Sequence, residues 1–264
     1  MTRFLDVAIE AARAGAAELR AARRGDLEIE YKDTRANLVT VADRRSQRAI
    51  TGVILHAFPG HRVDGEEGAA GDPESGHVWY VDPLDGTTNY SHGIPFYCVS
   101  VALRAPGGAG GQTIAGVVYD PVRDELFAAE RSHGATLNGS PLRVSATGRL
   151  ARALVVAQAQ SDDPGQIRKY ARLVERLMLT AGGVRSLGSP ALTLCAIAAG
   201  RLDAYCEYAM DSWDTAAGQL IVEESGGTLT TFGGDQHVTA ERIDVAASNG
   251  AVHAELIDAL KGLA

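Results

Sequence analysis

Apolar positions recur every three or four residues over 4–23. Leu5, Ala8, Ile9, Ala12, Ala16 and Leu19 share one face, so the stretch predicts an amphipathic helix. Asn37-Leu38-Val39-Thr40 is short and extended. Helical spacing returns over 41–58 through Ile50, Val53, Ile54 and Phe58, and Pro59-Gly60 stops it. A Gly/Glu/Asp/Pro-rich loop at 68–77 precedes Val78-Trp79-Tyr80-Val81, whose apolar, β-prone residues read as a buried strand over 78–82. Two β-like runs, 96–104 and 113–119, flank the Gly-rich loop 105–112. Runs at 126–129 and 135–137 follow, with Asn138-Gly139 as a hairpin turn.

Beyond residue 150 strand and helix alternate. The pattern gives strand 153–158, helix 164–179, strand 183–186, helix 189–200, strand 203–208 and helix 215–225. Strands 228–231 and 243–247 and a helix 251–262 complete it. This is a mixed α/β chain of layered sheets and helices. A boundary near 140–150 divides it into an N-terminal α+β subdomain, 1–145, and a C-terminal α/β subdomain, 146–264.

Composition narrows the class. A chain of 264 residues, 45% hydrophobic and 22% charged, is that of an ordinary globular protein. No apolar run approaches the ~20 residues of a membrane helix, and Met1-Thr2-Arg3-Phe4 opens no signal peptide. Cys98, Cys195 and Cys206 are odd in number, lie in apolar surroundings and form no CxxC pair, so reduced core thiols and a cytoplasmic location are expected. The net charge of −8 argues against electrostatic binding of nucleic acid.

The chemistry concentrates in Asp82-Pro83-Leu84-Asp85-Gly86-Thr87-Thr88-Asn89-Tyr90. A buried strand ending here presents two hard carboxylate ligands suited to Mg²⁺. It then turns through Gly into hydroxyls and backbone N–H groups suited to phosphate. Asp-Pro and Asp-Gly alone also make ordinary turns; the uninterrupted string with two threonines favours a site. Gly65-Glu66-Glu67 is by itself a solvated acidic loop, and in company a source of a third acidic ligand, Glu66. Asp214, in Trp213-Asp214-Thr215-Ala216-Ala217-Gly218, opens a small-residue helix. It reads as an N-cap that can also present an oxygen to a metal. Asp43 falls in the first turn of its helix, where the dipole favours a carboxylate.

Together these three motifs resemble the signatures of the inositol monophosphatase family of Mg²⁺-dependent, Li⁺-sensitive phosphatases, and the similarity runs from about residue 4 to 262. The resemblance implies a layered αβαβα sandwich acting as one compact catalytic unit, in a homodimer. It implies that Glu66, Asp82 and the Leu84 carbonyl hold one metal and Asp82, Asp85 and Asp214 a second, with Glu66 reaching a weaker third ion. Gly86 and Thr87 would meet phosphate through backbone N–H groups. Thr87 and Asp43 would orient and deprotonate a metal-activated water for in-line attack. Lys32 matches a lysine of the family's mobile N-terminal loop by position only.

The substrate side is less decided. Glu207, in Ala204-Tyr205-Cys206-Glu207, matches a position that binds ring hydroxyls in inositol phosphatases; a carboxylate there could also pair a substrate ammonium, or be a surface charge on an edge strand. Arg185 could pair a second phosphate or a structural carboxylate. Pro190 stands where the family often has alanine, and it removes an N–H. A small phosphorylated metabolite is the expected partner, with inositol 1-phosphate leading. Histidinol phosphate, fructose 1,6-bisphosphate and nucleoside 3′,5′-bisphosphates are the rivals, and a non-catalytic regulator that binds protein or RNA is the alternative outside enzymology.

Overall fold

The computed structural model describes residues 2–23, 29–31, 38–107, 111–159, 161–235 and 242–263. Along the chain run α1 (Arg3–Ala22), β1 (Ile29–Tyr31), β2 (Leu38–Thr40), α2 (Val41–Ala57), β3 (Arg62–Gly65), β4 (Gly68–Gly71), β5 (Val78–Asp85) and α3 (Thr87–His92). Next come β6 (Cys98–Ala105), β7 (Gln112–Asp120), β8 (Glu125–Glu130), β9 (Ala135–Leu137), β10 (Ser140–Pro141), β11 (Leu154–Gln158) and α4 (Pro164–Thr180). The chain continues with β12 (Gly183–Arg185), α5 (Pro190–Ala198), β13 (Ala204–Met210), α6 (Ser212–Glu224), β14 (Thr228–Thr231), β15 (Ile243–Ser248) and α7 (His253–Leu260).

Two large sheets organise these elements. One has eight strands in the order β10-β9-β8-β7-β6-β5-β3-β4, and the other five in the order β12-β11-β13-β15-β14. The apolar stripes of α1 and α2 cover one face of the larger sheet, through Leu5, Ala12, Leu19, Ile50 and Ile54 against Trp79, Val81, Val101 and Val117. Its other face shares a core with α5, α6 and the inner face of the smaller sheet. Helices α4 and α7 cover the far face of that sheet through Leu173, Leu177 and Leu256. The stack is α-β-α-β-α, the layering that the resemblance implies.

The middle layer is thin because its residues are small. A Cβ on Gly218 would lie 2.6 Å from the Leu194 side chain, and one on Gly116 would lie 3.1 Å from the Ala217 backbone. Helix α6 can therefore lie close to α5 and β7. That proximity brings Asp214 up beside β5.

Three local readings change. Residues 68–71, read as loop, form β4, antiparallel to β3. Strand β5 does not stop at Asp82 but continues through Asp85. The N-cap of α6 is Asp211; Asp214 is the third helical residue, and its side chain accepts from the Asp211 N–H at 3.0 Å. Lys32 and Asn37 lie outside the described residues, as does 108–110 of the Gly-rich loop. All three cysteines are buried and unpaired, as expected. Among the described residues no helix is long and apolar enough to cross a membrane.

Candidate active site

In a regular strand, residues i and i+3 face opposite sides. Asp82 and Asp85 escape this because β5 bulges between them: Asp82 pairs with Ser100 and Asp85 with Cys98, so three steps on β5 match two on β6. Pro83 fits at such a point, where no ladder N–H is needed. The freed backbone groups are satisfied locally. Asp82 Oδ1 accepts from the Leu84 N–H at 2.9 Å, and Ser46 of α2 donates to the Pro83 carbonyl at 2.8 Å. The Leu84 carbonyl accepts from Thr87 Oγ1 at 3.0 Å.

Gly86 then turns the chain at φ 95°, a left-handed conformation that favours glycine. A Cβ here would also press on the Phe96 and Gly188 carbonyls at 3.1 and 3.2 Å. Thr87 starts α3, and its Oγ1 lies 3.1 Å from Asp43 Oδ1, a buried carboxylate on the first turn of α2. Glu66 sits in the β3–β4 turn, with its N–H bonded to the Val81 carbonyl at 3.1 Å.

Asp85 is held more elaborately. Its Oδ2 accepts from Ser189 Oγ at 2.5 Å, Ala191 N at 2.8 Å, Leu192 N at 3.4 Å and Cys98 Sγ at 3.4 Å. Ser189 is the N-cap of α5 and Pro190 its first residue. Asp85 thus takes the N–H groups that the α5 start leaves unbonded, and Pro190 brings no N–H that would need a partner.

These carboxylates oppose one another. Burial first, then Glu66, Asp85 and Asp214, push the Asp82 carboxyl well above its usual range. Burial, then Asp85 and Glu66, do the same to Asp214. Burial raises Asp85 to about 6 against the hydrogen bonds from Ser189, Cys98, Ala191 and Leu192, which lower it. No Lys, Arg or His among the described residues forms an ion pair with Asp82, Asp85 or Asp214.

Each of the three is fixed through one oxygen. The second oxygens, Asp82 Oδ2, Asp85 Oδ1 and Asp214 Oδ1, receive no hydrogen bond from the described residues. No fully buried side-chain nitrogen or oxygen among those residues lacks a partner, so the second oxygens are open to the cleft. Among the described residues no three His, Cys, Asp or Glu side chains already surround a single metal position. The chemistry of the set nevertheless fits a hard divalent cation: mutually repelling carboxylates at the end of a cleft, with none of the three aspartates in an ion pair among the described residues.

The cleft has a volume of about 680 Å³ and is lined by Glu66, Asp82, Leu84, Asp85, Gly86, Thr87 and Asp214 at one end. Glu207, Gln158, Ser161, Asp162 and Arg242 line the rest, with Pro190 at the rim of α5. Glu207 is not an edge-strand surface charge: β13 is the middle strand of its sheet, and the residue is only 5% exposed. Burial pushes its carboxyl up to about 7, opposed by the hydrogen bond from Tyr205 and by the neighbouring Gln158 amide. Arg185 stays outside the cleft. It is exposed on the edge strand β12, bonds the Val184 carbonyl at 2.9 Å and pairs with no carboxylate among the described residues.

Sequence reasoning passed over Gln158, Asp211 and Arg242. Ser189 was legible as a cap before a first-turn proline. Arg242 carried no signal; its place follows only from the fold, 3.5 Å from Asp211. The described histidines stay clear of the cleft. Typical are His61, whose Nδ1 accepts from Trp79, and His253, bonded to Ser248 and Thr230.

Comparison with known proteins agrees with this geometry. The model of the inositol monophosphatase family matches residues 1–263. "Inositol monophosphatase 2" of Solanum lycopersicum is 39% identical over 268 residues, covering 98% of each chain. "Nus factor SuhB" of Pasteurella multocida is 39% identical over 251 residues, covering 94% of this chain and 92% of its own. The crystal structure of extragenic suppressor protein suhB from Bartonella henselae superposes with a TM-score of 0.90 at 34% identity, covering 99% of both chains. The chain belongs to the inositol monophosphatase family. It is a phosphatase, a phosphoric monoester hydrolase, in a family that is generally Mg²⁺-dependent.

Proposed function

We propose that this enzyme hydrolyses the phosphate monoester of a small polyol, with inositol 1-phosphate the leading substrate, releasing inositol and phosphate. The observation that carries the reading is the set of three aspartates, Asp82 and Asp85 buried and Asp214 partly so, each pinned through one oxygen with the other open to the cleft. Glu66, Asp82 and the Leu84 carbonyl would hold one Mg²⁺ and Asp82, Asp85 and Asp214 a second, with Glu66 shared by a weaker third. Bound Mg²⁺ supplies the Lewis-acid chemistry that neutralises a phosphoryl group under attack.

The protein's own part follows from its hydrogen bonds. Thr87 Oγ1 has one proton and two acceptors in reach, Asp43 Oδ1 and the Leu84 carbonyl. When it donates to Asp43, its lone pairs can accept from an attacking water. That water's proton passes to Thr87 Oγ1 as the threonine proton passes to Asp43. The backbone N–H groups of Gly86 and Thr87 would receive phosphate oxygens. Glu207 would accept hydroxyls of the leaving alcohol. Arg242 is the one cation among the described cleft residues, and Asp211 already faces it. Charge at the alcohol end thus favours neutral polyols or a histidinol-type amine over bisphosphates. In this reading residues 1–145 and 146–264 act as one catalytic unit, in a homodimer.

Phosphate release from inositol 1-phosphate, histidinol phosphate, fructose 1,6-bisphosphate and adenosine 3′,5′-bisphosphate, compared as kcat/KM, ranks the substrates. Asp82→Asn should lower Mg²⁺-dependent turnover at least ~10³-fold; retention of most activity would sink the mechanism. The SuhB relative's name, a Nus factor, supports a second reading in which the fold serves as a regulator that binds protein or RNA. A folded wild type that releases no phosphate from any of the four at saturating Mg²⁺ would favour it.

A further inference from the structure

Glu207 has a hydrogen-bond donor on its own strand and an amide beside it on the next. On its own strand Tyr205, fully buried, donates its hydroxyl to Glu207 Oε2; the Tyr205 hydroxyl oxygen lies 3.7 Å from Met210 Sδ. On the neighbouring parallel strand Gln158 is the register partner of Glu207. The Gly188 N–H donates to Gln158 Oε1 at 2.9 Å, which fixes the amide orientation. The Gln158 amide beside Glu207 favours the carboxylate.

We propose that Tyr205 is a positioning and specificity residue: its hydroxyl holds Glu207 as a hydrogen-bond-accepting carboxylate aimed at adjacent hydroxyls of the leaving alcohol. This rests on the role of Glu207 in the proposed function. The tyrosine donor occupies part of the carboxylate's acceptor capacity and leaves the cleft-facing lone pairs for the substrate. Tyr205 and Gln158 also set its charge. Burial favours the neutral acid, Asp85 across the cleft adds repulsion, and Tyr205 and Gln158 oppose both. A neutral acid in that position would keep one oxygen as a donor and accept hydroxyls poorly. Tyr205 touches neither phosphate nor metal ligand, so its influence should fall on alcohol recognition.

Tyr205→Phe tests this, because it removes one hydroxyl and keeps the ring. Inositol 1-phosphate and p-nitrophenyl phosphate, which has no ring hydroxyls, are compared at saturating Mg²⁺. The expected result is a roughly tenfold rise in KM for inositol 1-phosphate with kcat within about twofold. The ratio of its kcat/KM to that for p-nitrophenyl phosphate should fall about tenfold. The acid limb of kcat/KM for inositol 1-phosphate should move to higher pH, since Glu207 without the tyrosine donor stays protonated further up the scale. A merely structural tyrosine would lower both substrates together and leave the limb in place, overturning the proposal. If Glu207→Gln raises KM and Tyr205→Phe does not, the positioning role is overturned and the proposed function stands. If Glu207→Gln also leaves KM unchanged, the alcohol-side reading falls as well. Circular dichroism checks the fold of each variant. Should Tyr205→Phe not fold, Tyr205→Leu also removes the hydroxyl and carries the same measurement.

Discussion

At the scale of single residues the site turns on one hydroxyl. Thr87 Oγ1 lies 3.1 Å from Asp43 and 3.0 Å from the Leu84 carbonyl, so its one proton chooses between a base and a carbonyl assigned to a metal. Removing the hydroxyl should break the proton route while sparing the fold. Thr87→Val keeps the shape of a nearly buried side chain, and kcat should fall roughly 10²–10⁴-fold. Thr87→Ser should keep most of the rate. A Thr87→Val enzyme within threefold of wild type would show that water is activated without this pair. Asp82 and Asp85 stood out because hard ligands beside Gly-Thr-Thr have few other uses, whereas Glu66 and Asp214 read as ligands only in company with them. Arg185 was misleading for a physical reason: sequence places it near Ser189, but the edge strand turns its side chain outward.

At the scale of elements, the cluster depends on two devices that no periodicity announces. The first is the β5 bulge. Strand alternation would put Asp82 and Asp85 on opposite faces, and only their pairing with Ser100 and Cys98 reveals the extra residue. The second is the start of α6. Asp214 matched the pattern of a cap so well that Asp211, three residues earlier, was overlooked. The pair forms a capping box, in which each side chain receives the other's backbone N–H. Asp211 therefore fixes both the helix and the Asp214 carboxylate. Asp211→Ala should cost about 1 kcal/mol, roughly 2–4 °C in Tm for a chain of this length, and raise the Mg²⁺ concentration for half-maximal rate several-fold. Asp211→Asn keeps a capping oxygen and should restore both. The Arg242 ion pair is exposed on the arginine side and contributes little, so loss in the asparagine variant equal to that in alanine would point to charge instead of capping.

At the scale of the molecule, five layers concentrate buried acid at one end of a cleft, and the whole protein should respond to that charge. The mixed α/β character was legible in the helix-spaced apolar stripes and the alternation of C-terminal strands and helices, while the five layers came only with the family resemblance. The convergence of β5, α6 and the β3–β4 turn was not legible, since it depends on how closely Gly218 and Gly116 let α6 approach. In metal-free protein the folded values of Asp82, Asp85 and Asp214 all lie above the ordinary aspartate range. The folded state then binds more protons than the unfolded one wherever the pH lies between the two values. Stability contributed by the protonated groups is complete below the unfolded value of 3.8 and is lost as pH rises, for Asp85 through about 6. Mg²⁺ replaces those protons and should reverse the trend. At pH 7.5, Mg²⁺ at ~100 times its dissociation constant should add about 2.7 kcal/mol, or roughly 5–10 °C in Tm. At pH 5 the gain should shrink, because protons compete for the same oxygens. Scanning calorimetry with EDTA and with MgCl₂ at both values measures this directly. Asp85→Asn should raise the Tm of the metal-free protein at pH 7.5 and cut the Mg²⁺ increment. A Tm indifferent to Mg²⁺ at pH 7.5 would mean that the four carboxylates are not a cation site.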